Sequence, residues 1–139
     1  GAFRVGGHIV PRHMFVSRHW EVKIDTNNLA AFRRREEYAY LRGNPHAMEV
    51  MEVFDKAGIE YGRIDYAMKD GRIQVWEIND NPQITSSLAR YWRGRLGRCL
   101  VSLRNLDHAF AELEKDIVPG PAVRFDAREH CVWEALCAP

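Results

Sequence analysis

The stretch YGRIDYAMKDGRIQVWEINDNPQ, residues 61–83, decides how this chain is read. It describes two β-strands joined by a tight turn at Asp70-Gly71, an Asp-Gly pair of the kind that hairpins use. The strand interiors carry Arg63 and Asp65 on one side and Glu77 and Asn79 on the other, residues that strands seldom favour. Side chains alternate along a strand, so Arg63 and Asp65 share a face, as do Glu77 and Asn79. Whether the two pairs meet depends on the turn. A two-residue loop pairs Lys69 with Arg72, sets Asp65 opposite Trp76 and sends Glu77 to the far face. A three-residue loop pairs Met68 with Arg72, sets Arg63 opposite Glu77 and leaves Asp65 diagonal to it. The three-residue loop also gathers Ile64, Tyr66, Met68, Trp76 and Ile78 on one continuous apolar face, which favours that register.

Under the three-residue loop the question is what two carboxylates, an amide and a guanidinium do on one sheet face. Carboxylate and amide oxygens suit Mg²⁺, a hard cation. An arginine can hold a phosphate with two parallel hydrogen bonds. The plain alternative is a cross-strand Arg–Glu pair on a solvated face, and spacing alone favours it.

Around this stretch the chain reads as one α+β domain, an antiparallel sheet flanked by helices. Its 139 residues suffice for one core and not for two ordinary ones. Gly6-Gly7 separates two β-rich runs at the start, a second hairpin, with Pro11 expected at an edge or bulge. The run around 20–25 reads as a short strand. Residues 26–44 read as a helix with Thr26, Asn27 and Asn28 as caps, Gly43-Asn44 as the stop, and Arg33 and Glu37 paired i,i+4 on a solvated face. A second helix follows, with Asn44 as N-cap, Pro45 in its first position, Met48, Val50, Met51 and Phe54 as an apolar stripe and Gly58 as its end. Beyond Pro82, a basic segment with Arg90, Arg93, Arg95 and Arg98 is helical in spacing and is read as a solvated face, weakened by Gly94 and Gly97. Leu103, Leu106, Phe110, Leu113 and Ile117 then step by three and four, an amphipathic helix that packs on its own sheet. The domain is expected over 1–117, with a linker and tail over 118–139.

A formal charge of +1 gives no overall pull towards nucleic acid, and no binding to it is expected. No apolar run is of membrane-spanning length and the start has no signal-peptide pattern, so a soluble cytoplasmic protein is expected, without a membrane partner. Cys99, Cys131 and Cys137 form no CxxC pair and read as scattered thiols of a reduced compartment, with His130 beside Cys131 lacking an answering ligand cluster. The chain opens on strand-like residues without a methionine and is read as cropped or processed.

The motif residues resemble a known pattern. Arg63-Ile64-Asp65, then Glu77-Ile78-Asn79 and Pro82, are similar to the C-terminal metal-binding strands of the ATP-grasp superfamily. The likeness is strongest over 61–82 and moderate over 3–23. It implies the C-terminal part of an ATP-grasp-like fold and an ATP-dependent ligase, which phosphorylates a small carboxylate for attack by an amine or thiol. It further implies that Asp65, Glu77 and Asn79 hold Mg²⁺ or Mn²⁺ against the phosphates of ATP, with Glu77 best placed to touch two ions. Arg63 then takes the catalytic role of stabilising the transferring phosphoryl group, and the loop 80–85 lies beside the acceptor. Arg12, His13, His19 and Lys23 fall in the similar strands and are minor candidates for nucleotide or substrate. The chain departs from the family in Gln83, where some members carry glycine, and in the extra carboxylate of Asp80. It also has no glycine-rich phosphate loop and lacks the length for the substrate domain and ATP clamp. It is therefore expected to be an incomplete, inactive fragment whose missing N-terminal part is a partner. The alternatives are a non-catalytic nucleotide-binding module of the same fold, or an interaction domain using the Leu103 to Ile117 stripe.

Overall fold

The computed structural model describes residues 1–15, 31–84, 96–118 and 120. The expected strand at 20–25, the caps at Thr26, Asn27 and Asn28, His19, Lys23, Arg90, Arg93, Arg95 and the tail lie outside these residues. The described chain is α+β. Four strands, β1 (Ala2–Val5), β2 (His8–Pro11), β3 (Tyr61–Lys69) and β4 (Arg72–Asn79), form one antiparallel sheet in the order β2-β1-β3-β4. Three helices accompany it: α1 (Ala31–Gly43), α2 (Ala47–Ala57) and α3 (Leu96–Lys115).

Alternation along the strands divides the core in two. Ala2, Ile9 and Ile64 face α2 and pack with Val50 and Phe54. Phe3, Val5 and Val10 face the other way and pack with Leu106 and Ala109 of α3. Each fully buried Val, Leu, Ile or Phe here removes apolar surface worth roughly 1.5–3 kcal/mol from water. The sheet thus has helices on both faces. Helix α1 packs beside β2 and α3. The Gly6-Gly7 hairpin and the position of Pro11, last residue of edge strand β2, are as expected.

Three local expectations are corrected. Asn44 does not cap α2. It ends α1 with a positive φ of 44°, and its side chain donates to the carbonyl of Ile9 at 2.7 Å. His46 precedes α2 instead, without a side-chain cap. Glu37 is not on a solvated face: it is 1 % exposed and pairs with the equally buried Arg98 of α3 at 3.0 Å, while also accepting from the Met14 backbone N–H. Arg98 is therefore a buried clamp between α1 and α3. A charged residue tolerates such burial only with a partner.

Candidate functional site

The turn of the β3–β4 hairpin has two residues, Asp70 (φ 51°) and Gly71 (φ 71°), and pairs Lys69 with Arg72. Both central residues have positive φ, which is why an Asp-Gly pair stands there. The expected three-residue loop is not formed. By strict alternation this register would set Asp65 opposite Trp76. The ladder instead slips by one residue: Tyr66 pairs with Val75, and the next pair is Asp65 with Glu77. Trp76 is a β-bulge, an extra residue with no partner on β3. After it, Ile64 pairs with Ile78 and Arg63 with Asn79. Directly opposed residues share a face, so Arg63, Asp65, Glu77 and Asn79 lie together as expected. Their pairing differs: Glu77 opposes Asp65, and Arg63 opposes Asn79.

This face is continuous with the one covered by α3, because Arg63 is also opposite Phe3 on β1. One Nη of Arg63 donates to Asp65 Oδ2 at 3.3 Å. Asp65 Oδ1 and Arg63 Nε are buried with no hydrogen-bond partner. Asn79 Oδ1 accepts the backbone N–H of Asn81 at 3.0 Å, leaving a second lone pair. Glu77 is exposed, and among the described residues no hydrogen bond or ion pair engages its carboxylate. No group of three His, Cys, Asp or Glu side chains among the described residues is gathered as a preformed metal site.

His13 enters from the segment after β2. Its Nε2 lies 4.0 Å from Asp65 Oδ1, and its ring stacks on Phe15 at 4.2 Å between centroids. It reaches over Gly1, where a Cβ would stand 2.6 Å from Asp65 Oδ1 and 3.1 Å from the His13 ring. A side chain at this position, just before β1, would crowd both groups. Arg12 is 8 % exposed, and its guanidinium donates to Cys99 Sγ and to the carbonyl of Ile84. That pair of bonds ties the chain after Pro82 to β2 and α3.

A hydrogen-bond chain lies nearby that no local sequence pattern announces. Tyr40 Oη donates to the carbonyl of Gly1 at 3.0 Å. A tyrosine has one hydroxyl proton, so the 3.0 Å contact between Tyr40 and Tyr66 is a donation from Tyr66. Tyr66 then has none left for His46, and the 3.1 Å contact with His46 Nδ1 makes that nitrogen the donor. Burial raises the pKa of Tyr40 above its ordinary value, helped by Tyr66; burial also raises that of Tyr66.

No family model, curated protein or solved structure matches this chain. No helix among the described residues is long and apolar enough to cross a membrane.

Proposed function

We propose that this chain is the metal- and ATP-phosphate-binding part of an ATP-grasp-like ligase, which activates a small carboxylate as an acyl phosphate for an amine or thiol. The observation that carries the reading is the bulge at Trp76, which sets Glu77 opposite Asp65 and Asn79 opposite Arg63 on one face. Two carboxylates on adjacent strands repel unless a cation lies between them. Asp65 Oδ1, buried without a partner, and the unengaged Glu77 carboxylate are oxygen donors of the kind that Mg²⁺ or Mn²⁺ takes. Asn79 would add its amide oxygen. When bound, the ion supplies neutralisation of phosphate charge.

The remaining work is positioning, which is most of what phosphoryl transfer asks of a protein. Asp65 holds Arg63 by one Nη, and the guanidinium would then be presented to a phosphate bound on the same face. The substrate carboxylate attacks the terminal phosphorus of ATP and ADP leaves. The amine or thiol then displaces phosphate from the acyl carbon. The adenine clamp and substrate domain are proposed to belong to the same protein outside residues 1–139, and a reduced cytoplasm suits the buried free thiol of Cys99.

The test is calorimetric titration of Mg²⁺–ATP into this chain and into Asp65→Ala and Glu77→Ala, with Mn²⁺ as a second probe. Binding by the parent that both changes abolish supports the reading. A folded parent that takes up neither ion, or binding that survives both changes, removes it. A second reading is a nucleotide-binding module of the same fold without turnover. Metal-dependent binding with no ligase activity in any longer form marks that case. The α3 stripe is a weaker basis for a partner, since Leu106 and Phe110 pack on the chain's own sheet.

A further inference from the structure

We propose that β4 is a self-pairing edge: two copies of this chain join antiparallel along residues 72–77 and merge their sheets into one. The pairing goes beyond the metal reading and does not depend on it.

The two edges of the sheet differ. β2 has four residues, three of them buried, ends in Pro11 and is packed by helices. Such an edge is blunted against further pairing. β4 has eight residues and no proline, and from Arg72 to Glu77 all but the half-buried Ile73 are exposed. The exposed set includes the adjacent apolar side chains of Val75 and Trp76. This edge therefore offers both backbone and apolar surface to another strand.

Lys69 and Arg72 flank the two-residue turn, and the closing pair of such a hairpin is hydrogen-bonded. By alternation Ile73 and Val75 turn their N–H and C=O away from β3. The Ile73 carbonyl accepts from the side chain of Gln74 at 3.2 Å, a local substitute for a strand partner. Backbone direction admits antiparallel self-pairings about a two-fold axis at residue 73, 74 or 75.

Charge selects the axis at Gln74. One face of the hairpin holds two like-charged cross-strand pairs, Lys69 opposite Arg72 and Asp65 opposite Glu77. Each is unfavourable within a single chain. With the axis at Gln74, Ile73 meets Val75 of the second copy, the Trp76 bulge is passed, and Arg72 meets Glu77. The positive pair of each copy then lies in line with the negative pair of the other, twice by symmetry. An axis at residue 73 would set Asp70 against Glu77, and one at residue 75 would set Gln74 there. Without the bulge, Arg72 would meet Trp76. The same extra residue that gathers the polar face thus makes the edge self-complementary, and the other strand covers its exposed ring.

The experiment is sedimentation equilibrium, without divalent ions or nucleotide, on the parent, Arg72→Glu, Glu77→Arg and an equimolar mixture of the two variants. Each change turns a like-charged cross-strand pair into an opposite one, so both variants should keep the fold. The parent is expected to dimerise with a Kd on the order of 100 μM, as suits a small interface, and to remain monomeric at low micromolar concentration. Added salt weakens the dimer. Each variant alone loses at least about tenfold in affinity, while the mixture forms a heterodimer at least as tight as the parent dimer, because charges then match at both contacts. In the parent dimer the Ile73 and Val75 amides gain protection from exchange. A parent that stays monomeric up to about 500 μM overturns the proposal and gives the edge to a different strand or to water. A dimer that neither change weakens, or a mixture that associates no better than its members, overturns it as well and puts the interface elsewhere. Both failures leave the metal reading to its own titration.

Discussion

Asp65 faces Glu77 across β3 and β4 because Trp76 stands outside the ladder. Like charges directly opposed in an antiparallel pair are unfavourable by a few tenths to about 1 kcal/mol. Arg63 offsets part of this by holding one oxygen of Asp65. The chain without a divalent ion should therefore be stabilised, by about 0.2–1 kcal/mol, when Glu77 is changed to Gln. In Mn²⁺ the order should reverse, because only the parent gains from binding. Denaturant melts of parent and Glu77→Gln, with and without Mn²⁺, check both halves. A Glu77→Gln protein less stable than the parent without metal would show that the opposed pair carries no strain.

Trp76 gives a second prediction. It is two-thirds exposed, at 66 %, on the edge strand. Removing it leaves Val75 opposite Tyr66 and Glu77 opposite Asp65 in strict alternation, so the four polar residues keep their face. Deletion of Trp76 should yield a folded chain with metal affinity within a few fold of the parent. Insertion of a second residue after Trp76 should instead shift the pairing and abolish binding. Amide exchange and backbone NMR across the hairpin would read the register directly. If the deletion scrambles it, the bulge is setting the sheet twist on which the hairpin depends.

Both hairpins were legible in the residues, since Gly6-Gly7 and Asp70-Gly71 are local turn chemistry. The stripes of α2 and α3 were legible in part: Val50, Met51 and Phe54 pack on the sheet while Met48 is exposed, and Leu106 and Phe110 pack on it while Leu113 and Ile117 are exposed. The polar face was also predicted, although by the wrong register: hydrophobic pattern favoured a longer loop, and the bulge that reconciles the short loop with the shared face has no residue signature at Trp76. What local reading missed was settled at long range. Glu37 offered an i,i+4 partner in its own helix, while its burial depends on Arg98 of α3. Asn44 looked like a cap, and its amide is taken by Ile9 on another strand. His13 was one of several minor candidates, and only the crossing over Gly1 sets it beside Asp65.

The Glu37–Arg98 pair leads to a stability prediction. Both side chains are at most 3 % exposed. Replacing Arg98 by Met leaves the carboxylate buried with less compensation, and loss of one partner of a buried pair costs about 3–5 kcal/mol. The double change Glu37→Met with Arg98→Met removes both charges and should recover most of that loss. Thermal melts of the two single variants and the double variant form the cycle. Additive losses would mean that the two charges stabilise the fold independently, through their other contacts.

The tyrosine chain makes stability fall at alkaline pH. Tyr40 is buried, and its folded pKa lies above the ordinary value of 10.0, chiefly through that burial. Above about pH 10 the unfolded chain loses this proton while the folded chain keeps it. The unfolded state then binds fewer protons, so stability declines as pH rises, by up to about 1.4 kcal/mol per pH unit for one fully shifted group. Below pH 10 the contribution is fully present. Tyr66, less buried and also raised, should add a smaller share. Tyr40→Phe breaks the donation to the Gly1 carbonyl and should cost about 1 kcal/mol at neutral pH. It should also flatten the decline between pH 10 and 11. Urea midpoints of parent, Tyr40→Phe and Tyr66→Phe from pH 7 to 11 separate the two effects, because the lost hydrogen bond moves the neutral plateau and the lost ionisation changes the slope. An alkaline slope unchanged in Tyr40→Phe would place the titrating group elsewhere.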